Sequence, residues 1–256
     1  MNNTLQNGFR ILEYLSSTAQ EHSVTELTEV FGLPKSHICR LLKTLISTGY
    51  VKQSPVSRKY KVCLKVLCLA NACLENLRIR ERAKPYIHSL QETLQSPVFL
   101  AVPMNGEALL IDAFFPQGRE TDTGLVIGKL NSPYDSATGK ICAAWLDEKE
   151  IDELILRLPP TKKTKFTLTK PEEIHKELEK VKANKLSITK SERSLGMSAI
   201  AAPIFACGGI MTAAIGVILP KGDDSPETWQ LFEKEIINTA VSASFAMGDP
   251  DYGTIK

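Results

Sequence analysis

The sequence predicts an α+β protein in two parts. A small, basic, three-helix N-terminal domain with a hairpin wing precedes a larger domain holding a mainly antiparallel sheet. Three observations predict it. Three amphipathic patterns succeed one another between Leu5 and Leu45, and a cationic hairpin pattern follows. From Ser96 the apolar period changes, and short strand-like runs replace the helical stripes. Two turn signals, Asn105-Gly106 and Gly208-Gly209, then separate apolar runs, with helical patterns before and after them.

Composition bounds the alternatives. The chain has 256 residues, 43% hydrophobic and 23% charged, which suits one or two domains with a buried core and excludes disorder as the main state. No run reaches the roughly 18 apolar residues of a membrane helix. Met1 to Arg10 lacks a basic segment followed by an apolar one, so no secretory signal is read and a cytoplasmic location without membrane contact is expected. The six cysteines form no Cys-x-x-Cys pair, and with only four histidines no metal site or cofactor is expected. They read as reduced core thiols. Net charge is +2 overall, but residues 1–80 hold eleven Lys/Arg against five Glu, leaving the remainder net acidic. A basic third on an acidic body points to a polyanion-binding module.

The elements follow in order. Leu5, Phe9 and Leu12, widened by Ile11 and Leu15, form the first helical stripe. Ser23 or Thr25 caps a second helix with Glu26 in its first turn, Val24, Leu27 and Phe31 facing inward, and Gly32 as its stop. Pro34 suits the start of a third helix, whose apolar face is Ile38, Leu41, Leu42 and Leu45. Its opposite face carries Ser36, Arg40 and Lys43, with Lys35 in the first turn and His37, Cys39 and Thr44 on the flanks. Two helices joined by a Gly-containing turn form a helix-turn-helix, and a basic, hydrogen-bonding second helix fits the DNA major groove. Gly49–Gln53 and Arg58–Val62 then flank the turn Ser54-Pro55-Val56-Ser57, and the return strand carries Arg58, Lys59 and Lys61. This is a wing that lies along phosphates. Candidate DNA contacts are Thr25, Lys35, Ser36, His37, Arg40, Lys43, Arg58, Lys59 and Tyr60.

Leu64 to Leu94 is helical in pattern, with a kink or new start expected at Pro85. Leu67–Leu77 is apolar over much of its girth, which fits either its own domain or a symmetric partner. Beyond it, Val98–Val102, Ala108–Ala113, Leu186–Thr189, Ala199–Ala206 and Ile210–Leu219 read as strands. Ser136–Trp145, Glu148–Leu158 and Pro171–Ala183 read as helices. A last helix, capped by Ser225, buries Trp229, Phe232, Ile236, Ala240 and Phe245. The expected divisions are 1–63, 64–80 and 81–256. Such a sheet encloses one ligand-sized pocket.

Enzyme signatures are absent. Ser136–Lys140 ends in Gly-Lys, but Tyr134 stands where a P-loop needs Gly and Ile141 replaces the magnesium-binding hydroxyl. No Gly-x-Ser-x-Gly or His-Glu-x-x-His exists. His22, His88 and His175 read as exposed, and Lys162, Lys163 and Lys165 as a solvated loop.

Leu33-Pro34-Lys35-Ser36-His37-Ile38-Cys39-Arg40-Leu41-Leu42, followed by Leu45 and Gly49-Tyr50-Val51, resembles the winged helix of the IclR family of bacterial transcriptional regulators. Gly128, then Ser136-Ala137-Thr138-Gly139-Lys140, resembles the family's His-Ala-Thr/Ser-x-x-Gly-Lys segment. Ser194-Leu195-Gly196, then Ile200-Ala201-Ala202-Pro203-Ile204-Phe205, resembles its Ile-Ala-Ala-Pro-Val-Phe strand.

The resemblance implies a winged helix, a linker helix and a GAF-like effector domain with a curved sheet. It also implies homodimers, often paired into homotetramers, on palindromic operators in double-stranded DNA. Effectors are expected to be small organic acids or aromatic compounds, bound against the helix that Ala137, Thr138 and Gly139 open. Ser136 can cap that helix and leave free N–H groups from Ala137 to Lys140 facing outward. The family's other pocket positions fall on Glu120, Thr123, Thr189, Ala199, Gly216 and Ile218. Members that bind small keto acids use an acidic group, a Cys and two Ser at the last four. Thr, Ala, Gly and Ile remove those anchors and point to a larger or more apolar effector. Tyr134 replaces the family's His, and Asp135 adds a negative charge beside the supposed anion site. The competing expectation is a sensor or enzyme whose basic N-terminal domain binds a protein partner.

Overall fold

In the computed structural model, residues 3–18, 20–117, 126–220, 222 and 225–254 are described. The chain divides into two compact units, Met1–Asn76 and Leu77–Lys256.

The first unit runs α1 (Asn3–Ser17), α2 (Val24–Phe31), α3 (Lys35–Ser47), β1 (Val51–Gln53), β2 (Tyr60–Val62) and α4 (Val66–Glu75). Its core is Ile11, Leu15, Leu27, Ile38, Leu41, Leu42 and Val51. The α1 stripe lies further along than expected: Leu5 and Phe9 are exposed. Core contacts of α1 fall on Ile11 to Leu15, so its first two turns run past the core. Ser23, not Thr25, caps α2. Its Oγ accepts from the Glu26 N–H at 3.2 Å, and Glu26 Oε2 accepts from the Ser23 N–H at 3.1 Å. Gly32 ends α2 at φ 63°, a left-handed turn that glycine adopts without strain.

The wing pairs Val51 with Val62 and Gln53 with Tyr60. Pairing stops there because Arg58 turns left-handed at φ 59°, so Arg58 and Lys59 lie in the turn and not on the return strand. The other edge of Tyr60 bridges His22, with N···O distances of 2.9 and 2.7 Å. His22 is therefore buried, against expectation, and its ring meets the Thr18 hydroxyl at 2.7 Å.

The helical stretch after the wing breaks at Asn76–Leu77 rather than at Pro85. Asn76 Nδ2 donates to the Ala72 carbonyl at 2.7 Å, satisfying a last-turn acceptor of α4. Pro85 sits inside α5 (Arg78–Leu94). No residue of α4 is buried. The core-thiol expectation fails accordingly: Cys39, Cys68, Cys73 and Cys207 are exposed, Cys63 is intermediate, and Cys142 alone of the six is buried.

The second unit continues with β3 (Val98–Met104), β4 (Glu107–Phe114), β5 (Leu130–Asn131), α6 (Ala137–Ala144), α7 (Glu148–Arg157) and α8 (Pro171–Asn184). It ends with β6 (Ser187–Lys190), β7 (Ser198–Ala206), β8 (Ile210–Ile218) and α9 (Pro226–Ala246). The sheet order is β5-β4-β3-β8-β7-β6, and every pairing is antiparallel. Alternation along β7 sends Ala199 and Ala201 into a core with α6, α7 and α8. Ile200 and Ala202 turn to the other face, and α5 and α9 pack on the sheet through β3 and β7. Phe245 is exposed, contrary to expectation. The inner face of α9 there is Ala243 and Ser244, whose hydroxyl accepts from the Phe205 N–H at 3.0 Å.

Candidate nucleic-acid interface and ligand pocket

On α3 the burial of Ile38, Leu41 and Leu42 forces the opposite face outward. Lys35, Ser36, Cys39, Arg40, Lys43 and Thr44 are exposed there. Arg40 Nη2 donates to His37 Nδ1 at 2.9 Å, which orients the guanidinium along the helix. His37 is half-buried, and its Nε2 is shielded without a partner. Thr25 is exposed on the first turn of α2.

Wing cations are less free than their sequence suggested. Arg58 is exposed and Lys59 half-buried, and Lys59 Nζ lies 3.1 Å from Glu26 Oε1 and Lys61 Nζ 2.8 Å from Glu21 Oε1. The hydrogen bond from Lys61 holds the Glu21 carboxyl below its usual range, and the Ser23 backbone N–H does the same for Glu26. Tyr60 packs its ring against the domain core, so it is half-buried rather than a free contact. No sequence signal paired these charges, because Glu21 and Glu26 meet the wing only through the fold.

The second unit holds a small, partly open recess between the sheet and the start of α6. Ala137, Thr138, Thr189, Ala199 and Ile218 line it, with Asp135 and Ser136, which the sequence placed beside the site, and with Phe99, Asn131, Arg193 and Met197, which sequence reasoning did not assign to it. Gly139 and Gly216 are not in the lining. A Cβ at Gly139 would lie 2.1 Å from the Ser132 carbonyl, and one at Gly216 would lie 2.5 Å from the Phe99 ring. Both glycines serve close packing, and the ring that Gly216 admits is what borders the recess. Glu120 and Thr123 lie outside the described residues.

At the start of α6, Ser136 Oγ accepts from the Gly139 N–H at 3.0 Å and donates to the Ser132 carbonyl at 2.8 Å. The Lys140 N–H bonds Ser136 O. Of the four outward N–H groups expected, only those of Ala137 and Thr138 lack an acceptor among the described residues. Tyr134 takes the position of the family's His but points elsewhere: its hydroxyl donates to Leu158 O at 2.9 Å, and burial pushes it up to about 12.

Three charged groups join α6, α8 and the loop after β6. Lys140 is 1% exposed, with Nζ 3.0 Å from Glu177 Oε1 and 2.8 Å from Glu192 Oε2. Burial raises the Glu192 carboxyl above its ordinary value, against the opposing pull of Lys140. Thr164 and Thr167 hydroxyls donate to Ser191 O and Glu192 O at 2.7 and 2.6 Å, so the loop that carries Arg193 and Met197 is held on three sides. Arg193 Nη1 donates to Asn131 Oδ1 at 2.8 Å. Lys163, expected to be solvated, lies 2.5 Å from Asp135 Oδ2. His175 is half-buried at 2.9 Å from Asp152, whereas His88 is exposed. Among the described residues no His/Cys/Asp/Glu group could hold a metal, and no helix is long and apolar enough to cross a membrane.

Comparison with known proteins agrees with this arrangement. The IclR helix-turn-helix domain family matches residues 4–55, and the bacterial transcriptional regulator IclR C-terminal family matches 71–245. An uncharacterized HTH-type transcriptional regulator of Haemophilus influenzae is 29% identical, covering 96% of this chain and 93% of its own. The regulator KdgR of Escherichia coli is 26% identical, covering 95% and 92%. Among solved structures, an IclR transcriptional regulator from Alicyclobacillus acidocaldarius superposes with TM-score 0.81 at 21% identity, covering 97% of this chain and 100% of the other. An IclR homolog from Microbacterium hydrocarbonoxydans, complexed with 4-hydroxybenzoate, gives 0.78 at 18%, covering 96% and 99%.

Proposed function

The chain belongs to the IclR family of bacterial transcriptional regulators, and from that premise we propose that it controls a catabolic operon by binding a palindromic operator through α3 as a homodimer or homotetramer. It is a DNA-binding regulator with an effector-binding domain, and the family is one of regulators, not enzymes.

The observation that carries the proposal is the outer face of α3. Burial of three apolar residues leaves Ser36, Arg40 and Lys43 exposed side by side, with no acid on that face. Arg40 reads a guanine edge, Ser36 a base or phosphate, and Lys35, Lys43, Thr25 and Arg58 hold phosphates. His37 acts through its bond to Arg40. Lys59 reaches a phosphate after leaving Glu26, and Tyr60 supports the wing from within.

The effector occupies the recess at the start of α6. Phe99, Met197, Ala199 and Ile218 give it an apolar wall, and the free N–H groups of Ala137 and Thr138 with Arg193 give it an anion-receiving end. That combination supports a small aromatic or branched organic acid. The 4-hydroxybenzoate held by the Microbacterium relative is of the same chemical class.

The test is fluorescence anisotropy on DNA from upstream of its own gene. Arg40→Ala weakens binding there by about 1–3 kcal/mol and leaves weak binding to unrelated DNA nearly unchanged. Equal affinity of R40A and wild type for that fragment would remove α3 as the reading helix.

A further inference from the structure

Inside the effector recess, most polar groups already have partners. Ser136 Oγ is spent on Gly139 and Ser132, and Arg193 Nη1 on Asn131. Asp135 differs. Its side chain is 2% exposed, its Oδ2 is fixed by Lys163 at 2.5 Å, and its Oδ1 is shielded from solvent and bonded to nothing. Asp135 also borders the recess. Thr138 is 0% exposed, borders the same space, and leaves its Oγ1 unbonded.

A buried carboxylate oxygen with no donor is costly, and it is rarely kept without a reason. Here the neighbouring pair with Lys163 locks the side chain, so that Oδ1 is a fixed, unpaired acceptor on a residue that lines the recess. Two residues on, the N–H groups of Ala137 and Thr138 are the unspent donors. Acceptor and donors therefore sit on one short segment.

Resting on the effector reading above, we propose that the ligand is an α-hydroxy carboxylic acid with an apolar body, and that Asp135 is the residue that selects it. The ligand carboxylate takes the Ala137 and Thr138 N–H groups. Its hydroxyl, one carbon away, donates to Asp135 Oδ1 and accepts from Thr138 Oγ1. The body lies against Phe99, Met197 and Ile218. A plain carboxylic acid brings the same carboxylate but leaves Oδ1 unpaired. An α-amino acid would also donate, but Lys163 already supplies the cation that Asp135 needs.

Three matched probes separate these cases in titration calorimetry on the full chain: mandelate, phenylacetate and phenylglycine. Mandelate is expected to bind about tenfold or more tightly than phenylacetate, because a site built around a hydroxyl discriminates strongly against its absence. In Asp135→Asn, which keeps the volume and removes the anionic acceptor, that ratio falls to about threefold or less. In Thr138→Val it falls partway. Equal or tighter binding of phenylacetate by the wild type overturns the role of Asp135 and leaves the effector pocket standing. Tight binding of phenylglycine alone overturns the hydroxyl. Failure of all three, and of 4-hydroxybenzoate, to bind at all would overturn the pocket reading itself.

Discussion

Replacing Lys140 by Met is the sharpest test of how the ligand-binding unit is held together. The ammonium is 1% exposed and sits between Glu177 and Glu192, whose side chains are 23% and 12% exposed. Methionine keeps the length and apolar stem but strands two carboxylates. Removing one partner from a buried ion pair costs about 3–5 kcal/mol, and the residual wetness of Glu177 puts this case near 3. For a unit of this size each kcal/mol moves Tm by about 2–4 °C, so K140M should melt about 6–12 °C lower near neutral pH.

The pH dependence is the sharper signature. Burial already holds the Glu192 carboxyl above its ordinary value, while the charge and hydrogen bond of Lys140 pull it down. A carboxyl raised in the folded state binds its proton more tightly there than in the unfolded chain, so the stability it contributes is lost as pH rises through the folded value. Taking Lys140 away raises that value further. K140M should therefore be much less stable than wild type at pH 8 and closer to it at pH 5. Adding Glu192→Gln to K140M should recover stability at pH 8. Calorimetry across that range decides the matter. A loss under about 1 kcal/mol, or one that does not change with pH, would show that the buried triad is not what clamps α6 to α8 and the Arg193 loop.

Two further outcomes follow from close packing. Gly216→Ala places a methyl 2.5 Å from the Phe99 ring and 2.9 Å from Thr138 Cγ2, so it should cost about 1–3 kcal/mol by calorimetry and shrink the Tm shift given by any bound acid. Unchanged stability would mean that the ring yields freely. Burial pushes the Cys142 thiol up to about 12. In native protein at pH 8, a disulfide reagent followed by peptide mass mapping should therefore find Cys39, Cys68, Cys73 and Cys207 labelled and Cys142 untouched until denaturation. Early labelling of Cys142 would contradict its burial.

Much of the architecture was legible because it rests on local signals. Ser23-x-x-Glu26 with Gly32 brackets α2, and Asn105-Gly106 and Gly208-Gly209 place two hairpins at left-handed φ values. What failed was non-local. Phe9 and Phe245 continue apolar periods whose far ends reach past the core, and periodicity does not show where a core stops. Proline at 85 was a weaker punctuator than Asn76, whose side chain closes α4. In the pocket, Ala137, Thr138, Thr189, Ala199 and Ile218 were named by resemblance and do line the recess. Arg193 and Met197 were not, because the bonds of Thr164 and Thr167 that fix their loop cross long stretches of chain. Two glycines that looked like pocket positions turned out to be clearances for neighbouring atoms.

The acids beneath the wing carry a last consequence. On the proposed reading of the wing, Lys59 and Lys61 would each have to part from a carboxylate the protein supplies before meeting a phosphate, so Glu21 and Glu26 would act as built-in counterions. An exchange of that kind frees fewer bulk cations than the number of basic residues suggests, and the fitted exponent in ionic strength should run below that number. On that reading the wing is a conditional clasp, and the tally of released ions should be set mainly by the third helix.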